Sequence, residues 1–173
     1  GLILCQWAKA LGAVIVGTVS TKEKAEVARA AGCHYPVVRS ETNFVDVVRE
    51  VTDGEGCAVV YEAIGKDTMR ASLDSLRPMG VCAAYGHVSG PPDPVDIIQD
   101  LGRRGSLFIT RPAIMHYVAK RSDLEWTARD LFKAIGDGIL EANINYEYAL
   151  KDAVKAHEAI ESGKTLGATV LVP

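Results

Sequence analysis

Short runs of apolar and β-branched residues alternate with longer helical patterns along most of the chain. The clearest runs are AVIVGTV at 13–19, CAVVYEA at 57–63 and VCAAYG at 81–86. Because these runs are largely apolar and do not alternate with polar residues, they are typical of strands buried on both faces of a parallel sheet. Helices between such strands cover the two faces. The pattern therefore predicts an α/β fold with a doubly wound parallel sheet.

The remaining elements follow from the same periodicities and from capping residues. Further strands are predicted at 35–38, 106–110 and 168–172, and helices at 2–11, 22–31, 44–51, 66–76, 95–101, 123–135 and 150–161. Ser20 or Thr21 is the expected cap of the helix after the first strand, and Thr42 or Asn43 caps the next. His157 shares a helix face with apolar residues, which favours a core position over a ligand role.

Length and composition fit one ordinary globular domain. The chain has 173 residues, of which 48% are hydrophobic and 24% charged, and its formal net charge is −3. These values exclude a disordered chain, and the charge does not indicate nucleic acid or an anionic membrane as a partner. No apolar run reaches the ~18 residues of a transmembrane helix, and the start lacks the basic segment of a signal peptide. The absence of an initiator Met predicts a fragment or a processed product.

The four cysteines, Cys5, Cys33, Cys57 and Cys82, are scattered singly. No pair has C-x-x-C spacing, and the nearest histidine, His34, is adjacent to Cys33, so no metal site is predicted. Isolated cysteines in apolar surroundings are typical of reduced core residues. Because structural disulfides belong to oxidising compartments, this pattern favours a cytoplasmic protein.

Ligands of doubly wound folds bind beyond the carboxyl ends of the strands, so the strand-end turns are the candidate sites. The strand at 13–19 is followed by Ser20, Thr21 and Lys24, without the carboxylate that would hold both ribose hydroxyls of NAD. Together with Thr18, these hydroxyls, the helix amides and the lysine suit a 2′-phosphate. Capping of the helix is the simpler alternative.

Two later strands end in glycines, Gly65 and Gly86. Glycine allows a flat ligand to approach the backbone closely, but a plain strand-end turn explains it equally well. Tyr85 either stacks on a ligand or packs. The chain has no G-x-S-x-G turn and no carboxylate pair beside a motif, so no catalytic residue is predicted.

Several segments together resemble one enzyme family. They are GLILCQWAKALGA, GTVSTKEKAEVARAAG, VVYEAIGKDTMRASLDSLRPMG, YGHVSG, GSLFITRP and KTLGATVLVP. In this order they are similar to the NADPH-dependent quinone oxidoreductases, zeta-crystallin-like medium-chain dehydrogenases/reductases without zinc. The resemblance implies a Rossmann-like cofactor domain at 1–140 and a C-terminal helix and strand at 141–173 that return toward a GroES-like domain. It also implies that the first central strand of the sheet precedes Gly1.

The resemblance assigns cofactor contacts residue by residue. Gly1 and Leu2 correspond to the helix start at the pyrophosphate. Thr18 and Ser20 correspond to the ribose-phosphate site, Lys24 to the partner of the 2′-phosphate, and Arg39 to the adenine or phosphate side. Ile64 and Gly65 correspond to the loop under the cofactor, and the residues assigned to the nicotinamide side are Tyr85, Gly86, His87, Thr110 and Arg111. A late family arginine falls on Gly163, with Lys164 beside it.

The implied activity is hydride transfer from NADPH to a quinone or a related enone or carbonyl. The resemblance also implies that the strand from Ser106 to Thr110 is an edge strand that pairs across a two-fold axis as the seam of a homodimer. The sequence agrees with this, since the strand is short, apolar and without an edge-protecting charge. Two alternatives stay open: an inactive nucleotide-binding or interaction module, and an enoyl reductase module of a larger synthase. The 173 residues alone are expected to show no turnover.

Overall fold

The computed structural model describes residues 1–163 and 165–173 as a mixed α/β protein. The helices are α1 (Leu2–Ala10), α2 (Lys22–Ala30), α3 (Phe44–Val51), α4 (Met69–Asp74), α5 (Ile114–Tyr117), α6 (Arg121–Gly136) and α7 (Ala153–Glu161). The strands are β1 (Val16–Val19), β2 (Tyr35–Val38), β3 (Cys57–Glu62), β4 (Leu76–Ala84), β5 (Phe108–Thr110), β6 (Ile144–Ala149) and β7 (Ala168–Val172). Lys164, named above beside Gly163, lies outside the described residues.

The strands form hydrogen-bonded sheets with the orders β1-β2, β3-β4-β5 and β6-β7. Strands β3, β4 and β5 run parallel, with Tyr61 opposite Ala83 and Val81 opposite Phe108. Strands β6 and β7 are also parallel. The predicted α/β fold with parallel strands is confirmed.

The chain divides into two compact units. The terminal unit comprises Gly1–Gly17, Thr21–Pro36 and Arg129–Pro173, and the central unit comprises Thr18–Ser20 and Val37–Ala128. The three-stranded sheet lies wholly in the central unit, and β6 and β7 lie in the terminal unit. The boundary between residues 140 and 141, which concerns the domains implied by the resemblance, stays a prediction.

Capping residues start the helices where the sequence indicates. Thr21 precedes α2, and its hydroxyl accepts a hydrogen bond from the amide of Lys24 at 3.3 Å. Asn43 precedes α3, and its side-chain oxygen accepts from the amide of Val45 at 3.1 Å. Each cap satisfies one of the amides that a helix start leaves unpaired, and loss of such a cap costs about 0.5–2 kcal/mol.

The core of the central unit lies between α4 and the three-stranded sheet. Leu73 of α4 and Cys82 of β4 are fully buried, and Met69, Leu76 and Leu107 surround them. Burial of each large apolar side chain contributes about 1.5–3 kcal/mol relative to exposure. This cluster fixes the three strands whose carboxyl ends carry the candidate site.

Strand β4 is longer than predicted, and β6 was not predicted. Strand β4 begins at Leu76, which pairs with Cys57, and a register shift then brings Val81 opposite Val59. The bulge accommodates residues 77–80, Arg-Pro-Met-Gly, which interrupt the run of strand-forming residues in the sequence. In β6, half-buried tyrosines at 146 and 148 alternate with exposed residues, which is the period-two signal of a strand with one covered face.

Three helical predictions need correction. The helix predicted at 66–76 is confined to Met69–Asp74, and the one at 95–101 is a π-helical turn at Ile97–Gly102. The helix at 150–161 consists of a 3-10 turn followed by α7.

In α7 Ala156 is buried but His157 is exposed, so the predicted core position of His157 is wrong. Successive helical residues lie about 100° apart, so burial of one does not bury the next.

The described structure contains all four cysteines as free thiols. Cys33 and Cys82 are buried, as predicted for core residues, whereas Cys5 and Cys57 are half-buried. A hydrogen bond from the Cys33 thiol lowers the pKa of Cys5 to about 7, which outweighs the opposing effect of partial burial. Burial raises the pKa of Cys82 to about 11. Cys5 is therefore the thiol poised to ionise near neutral pH.

Cys5 is expected to be alkylated by iodoacetamide at a rate that rises with pH through a midpoint near 7. The rate rises with pH because the thiolate is the nucleophile and is populated above the pKa. Mass spectrometry of timed samples measures the rate at each cysteine. Cys33→Ala removes the hydrogen bond and is expected to move the midpoint upward, whereas Cys57→Ala leaves it in place. If the alkylation midpoint of Cys5 were the same in Cys33→Ala as in the wild type, the assignment of the lowered pKa of Cys5 to Cys33 would be contradicted.

Candidate functional site

The carboxyl ends of β3, β4 and β5 lie at one edge of the central sheet, because parallel strands point the same way. The sequence-predicted residues at this edge are Ile64, Gly65, Tyr85, Gly86, His87, Thr110 and Arg111. They follow or end three adjacent strands, although they are far apart in sequence. The fold therefore brings this group together, as expected from the strand-end argument.

Glu62, the last residue of β3, is buried with 3% of its surface exposed. Its Oε1 accepts hydrogen bonds from the amides of Ile64 at 2.6 Å and Gly65 at 3.1 Å, and from Thr68 Oγ1 at 2.9 Å. Its Oε2 accepts a short hydrogen bond from Ser72 Oγ. A buried carboxylate is tolerated only when such donors satisfy it. Glu62 therefore fixes the turn that contains Ile64 and Gly65.

A second set of hydrogen bonds joins the turn after β3 to the turn after β4. Ser89 donates from both its amide and its hydroxyl to the Ile64 carbonyl, at 2.8 and 2.9 Å. The same hydroxyl accepts from the Asp67 amide at 3.1 Å, and the Val88 amide donates to the Ala63 carbonyl at 3.2 Å. The two turns are therefore one hydrogen-bonded assembly. Neither Glu62 nor Ser89 was predicted from the sequence as part of the site.

The glycines of these turns are required by close packing. Gly65 has a φ of +93°, and a Cβ there would lie 2.5 Å from the Gly90 carbonyl oxygen and 2.9 Å from the Cα of His87. At Gly86, a Cβ would collide with the backbone of Ala63. Packing of the two turns is sufficient to explain both glycines, so their contact with a ligand stays a prediction.

Arg111, which follows β5, reaches across to the end of β4. Its guanidinium donates to the Ala84 carbonyl at 2.8 Å and lies 3.3 Å from His87 Nδ1. Because a guanidinium only donates, a hydrogen bond in this pair runs from Arg111 to His87 Nδ1. The strand-end edge thus presents a guanidinium beside an imidazole.

A cleft of about 220 Å³ opens beside this pair. Its apolar wall is formed by Met69, Ala84, Pro91 and Pro92, and His87 and Arg111 supply the polar groups, with the Gly86 backbone between them. Apolar walls with a few fixed polar groups are typical of sites for small organic molecules. Tyr85 is 48% exposed and does not line the cleft. Thr110 pairs with Ala83 in the sheet and is exposed.

A second, larger cavity of about 520 Å³ lies in the central unit around Arg39. The loop 39–44 forms one side, and Asp67 and Thr68 form the other. The Arg39 amide donates to the Val19 carbonyl at 3.1 Å, which places Arg39 next to the exposed segment that carries Thr18 and Ser20. The predicted residues Thr18, Ser20 and Arg39 are therefore neighbours.

The other predicted contacts belong to the terminal unit. Gly1 is the residue before α1, and Leu2 is the first residue of that helix. Lys24 lies in the first turn of α2, and its Nζ donates to the Gly163 carbonyl at 2.6 Å. The structure thus gives Lys24 a protein partner that its sequence does not indicate.

Parallel strands that end in closely packed glycine turns beside a cleft define a Rossmann-like α/β domain. Residues 1–129 match the family model described as zinc-binding dehydrogenase. The chain belongs to this family.

Individual relatives agree with this assignment. A 2-haloacrylate reductase from a Burkholderia species is 50% identical over the whole chain, which covers 52% of that protein. A quinone oxidoreductase from Salmonella typhimurium is 42% identical, with 100% and 53% coverage. The crystal structure of Escherichia coli quinone oxidoreductase complexed with NADPH superposes with a TM-score of 0.94 at 39% identity, and the chain covers 53% of it.

The resemblance to quinone oxidoreductases predicted from the sequence is confirmed by these relatives. The chain spans about half the length of the curated relatives it matches. The prediction of NADPH as the cofactor agrees with the Escherichia coli complex.

The family description includes zinc, and the residues present do not fit that ion. Among residues 1–163 and 165–173, no group of three or more His, Cys, Asp or Glu side chains lies close enough to hold a metal. A structural zinc site requires four such ligands and a catalytic site three. In the same described part of the chain, no helix is long and apolar enough to cross a membrane.

Proposed function

We propose that the protein containing this chain is an NADPH-dependent reductase that acts on a quinone or a related electron-poor double bond. The names of the relatives at 42–50% identity support an oxidoreductase. The strand-end cleft with its apolar wall supports a small organic acceptor. A cytoplasmic location is part of the same proposal.

In this proposal, the chain's residues hold the cofactor along the strand ends. Gly1 and Leu2 contribute helix amides to the pyrophosphate, since a helix start attracts anions. In the central unit, Arg39 and its neighbours beside the larger cavity are assigned to the adenosine end. In the terminal unit, Lys24 is assigned to the 2′-phosphate. The hydrogen-bonded turns after β3 and β4 form the surface on which the nicotinamide end of the cofactor lies.

When bound, NADPH supplies the hydride, and the protein supplies binding, orientation and exclusion of water. Ile64 and Gly65 are positioned for this by the buried carboxylate of Glu62. The apolar wall of Met69, Pro91 and Pro92 excludes water from the cleft. No side chain is assigned as a general base, because hydride transfer to a quinone does not require one.

The observation that carries the proposal is the hydrogen-bonded assembly of the two turns beside the cleft. The complete protein is expected to bind NADPH, measured by nicotinamide fluorescence, and to oxidise it when 1,4-benzoquinone is added. Binding without oxidation would favour the inactive module, and turnover with enoyl thioesters alone would favour the synthase module. Failure to bind NADPH would refute the proposal.

A homodimer through β5 is part of the proposal. Strand β5 is the outer strand of the order β3-β4-β5, as predicted, so one edge has no partner within the described chain. Phe108 on this strand is 61% exposed. An unprotected apolar edge strand is a ready template for pairing with a second copy around a two-fold axis.

Phe108→Lys is expected to convert the complete protein from dimer to monomer, because a charge at the seam is buried without a partner. Sedimentation velocity at micromolar concentration measures the change. Phe132→Lys is the matched control, since Phe132 is a similarly exposed phenylalanine, at 68%, that belongs to α6 and not to this strand. A wild-type protein that is already monomeric at this concentration would rule out β5 as a dimer interface.

A further inference from the structure

Two of the four cysteines, Cys5 and Cys33, lie next to each other in the terminal unit. Cys5 is in the first half of α1, and Cys33 follows the turn that ends α2. At Gly32 in that turn, a Cβ would lie 3.4 Å from the Cys5 carbonyl oxygen, so the turn packs directly against α1. The Cys33 thiol donates a hydrogen bond to the Cys5 sulfur. Two sulfurs that are far apart in sequence are therefore in contact in the fold.

The surroundings of Cys33 hold its sulfur in this position. Cys33 is 2% exposed, and its Sγ lies 3.7 Å from the Ile15 carbonyl oxygen, which is a second possible acceptor. At Gly17, a Cβ would lie 2.8 Å from the same sulfur, so a larger residue there would displace it. Because a thiol has a single proton, Cys33 donates either to Ile15 or to Cys5. The proton points to Cys5 when Cys5 is ionised, because a charged acceptor forms the stronger bond.

The two thiols differ in reactivity. Cys5 is half-buried, and the hydrogen bond from Cys33 lowers its pKa to about 7, so much of it is thiolate at neutral pH. The neighbouring Cys5 sulfur and burial raise the pKa of Cys33, so Cys33 stays a thiol. An accessible thiolate next to a protected thiol is typical of a peroxide-reactive cysteine and its resolving partner.

We propose that Cys5 and Cys33 form a reversible disulfide when the protein is exposed to hydrogen peroxide, with Cys5 as the attacking residue and Cys33 as the resolving residue. First, the Cys5 sulfur bonds to one peroxide oxygen, the O–O bond breaks, and the released hydroxide takes up the proton that Cys5 lost and leaves as water. Second, the Cys33 sulfur bonds to the sulfenic sulfur of Cys5, the S–O bond breaks, and the hydroxyl leaves with the Cys33 proton as water. Two thiols are oxidised, and one peroxide is reduced to two water molecules.

The packing of α1 against the turn after α2 favours this bond. The backbone of the turn already contacts α1 at Gly32, so the two sulfurs need only move from hydrogen-bond contact to the bonded distance of about 2.05 Å. The disulfide links α1 to the segment between α2 and β2. The reaction needs neither NADPH nor an electron acceptor other than the peroxide, so it is independent of the proposed function.

Peptide mass spectrometry under non-reducing conditions detects the bond in the complete protein treated with hydrogen peroxide. The wild type is expected to yield a linked pair of peptides that contain Cys5 and Cys33, and dithiothreitol is expected to separate them again. Dimedone labels sulfenic acids, and we expect it to label wild-type Cys5 weakly, because Cys33 consumes the intermediate. Cys57→Ala is the matched control and is expected to change neither result, since Cys57 is also half-buried but its burial raises its pKa.

Two variants of Cys33 separate its two roles. Cys33→Ser keeps a hydroxyl that can donate to Cys5 but removes the resolving sulfur, so we expect the disulfide to be lost and the dimedone adduct of Cys5 to become its main product. Cys33→Ala removes the donor as well. It is expected to slow the oxidation of Cys5 at pH 7 about tenfold, because an ordinary cysteine is only a few per cent thiolate at that pH.

Oxidation of Cys57 at the same rate as Cys5 would overturn the proposal, because Cys5 would then have no special reactivity. Wild-type Cys5 that is oxidised to the sulfinic acid without any linked Cys33 would also overturn it, because Cys33 would not be the resolving residue. A peroxide-dependent bond between the Cys5 residues of two copies, seen as a product of twice the mass, would contradict the intramolecular disulfide.

Discussion

Glu62→Leu is expected to lower the free energy of unfolding by about 2–6 kcal/mol. The substitution leaves the amides of Ile64 and Gly65 buried without their acceptor, and each such amide costs about 1–3 kcal/mol. The hydroxyls of Thr68 and Ser72 can rotate toward other acceptors, so they add less. Since a domain is typically stable by only about 5–15 kcal/mol, the loss is a large fraction of the total.

Urea denaturation measures this change. Glu50→Leu is the matched control, because Glu50 is exposed on α3 and is expected to change stability by less than about 0.5 kcal/mol. Glu62→Gln retains the shape and one acceptor oxygen, and we expect an intermediate loss. A Glu62→Leu protein that unfolds at the wild-type urea concentration would show that the turn does not depend on the carboxylate.

The elements of the fold were predictable where the signal is local. The apolar runs of β3 and β4 predict parallel strands, and Thr21 and Asn43 predict helix starts, because a cap satisfies amides only two or three residues away. Strand β6 was missed because its alternation of covered and exposed residues depends on Tyr146 and Tyr148, which are only half-buried. Its pairing with β7 is a long-range contact that periodicity does not report.

The location of the candidate site was predictable from the sequence, but the hydrogen bonds that connect its residues were not. Glycines at strand ends identify the edge, whereas the partner of Ser89 lies 25 residues away and that of Arg111 lies 27 away. An acidic residue at the end of the apolar run CAVVYEA was the available signal for Glu62. A carboxylate in that position either faces solvent or is buried with donors, and only the fold decides between them.

Lys24→Ala is expected to weaken NADPH binding by the complete protein about tenfold to hundredfold and to leave NADH binding nearly unchanged. A hydrogen bond from a lysine to a phosphate is worth about 1.5–3 kcal/mol, and each 1.4 kcal/mol is a factor of ten. In the structure the Lys24 ammonium is held by the Gly163 carbonyl, which the 2′-phosphate would have to replace. Loss of that neutral bond offsets about 0.5–1.5 kcal/mol, so the lower end of the range is expected.

Fluorescence titration with both cofactors distinguishes a phosphate contact from a general effect on the fold. Lys151→Ala is the matched control, because Lys151 is exposed and outside the predicted cofactor residues. Lys24→Arg keeps the positive charge and is expected to restore most of the preference for NADPH. If Lys24→Ala weakened both cofactors equally, the lysine would act only through its bond to Gly163, and the 2′-phosphate would have to be recognised by Thr18, Ser20 or Arg39.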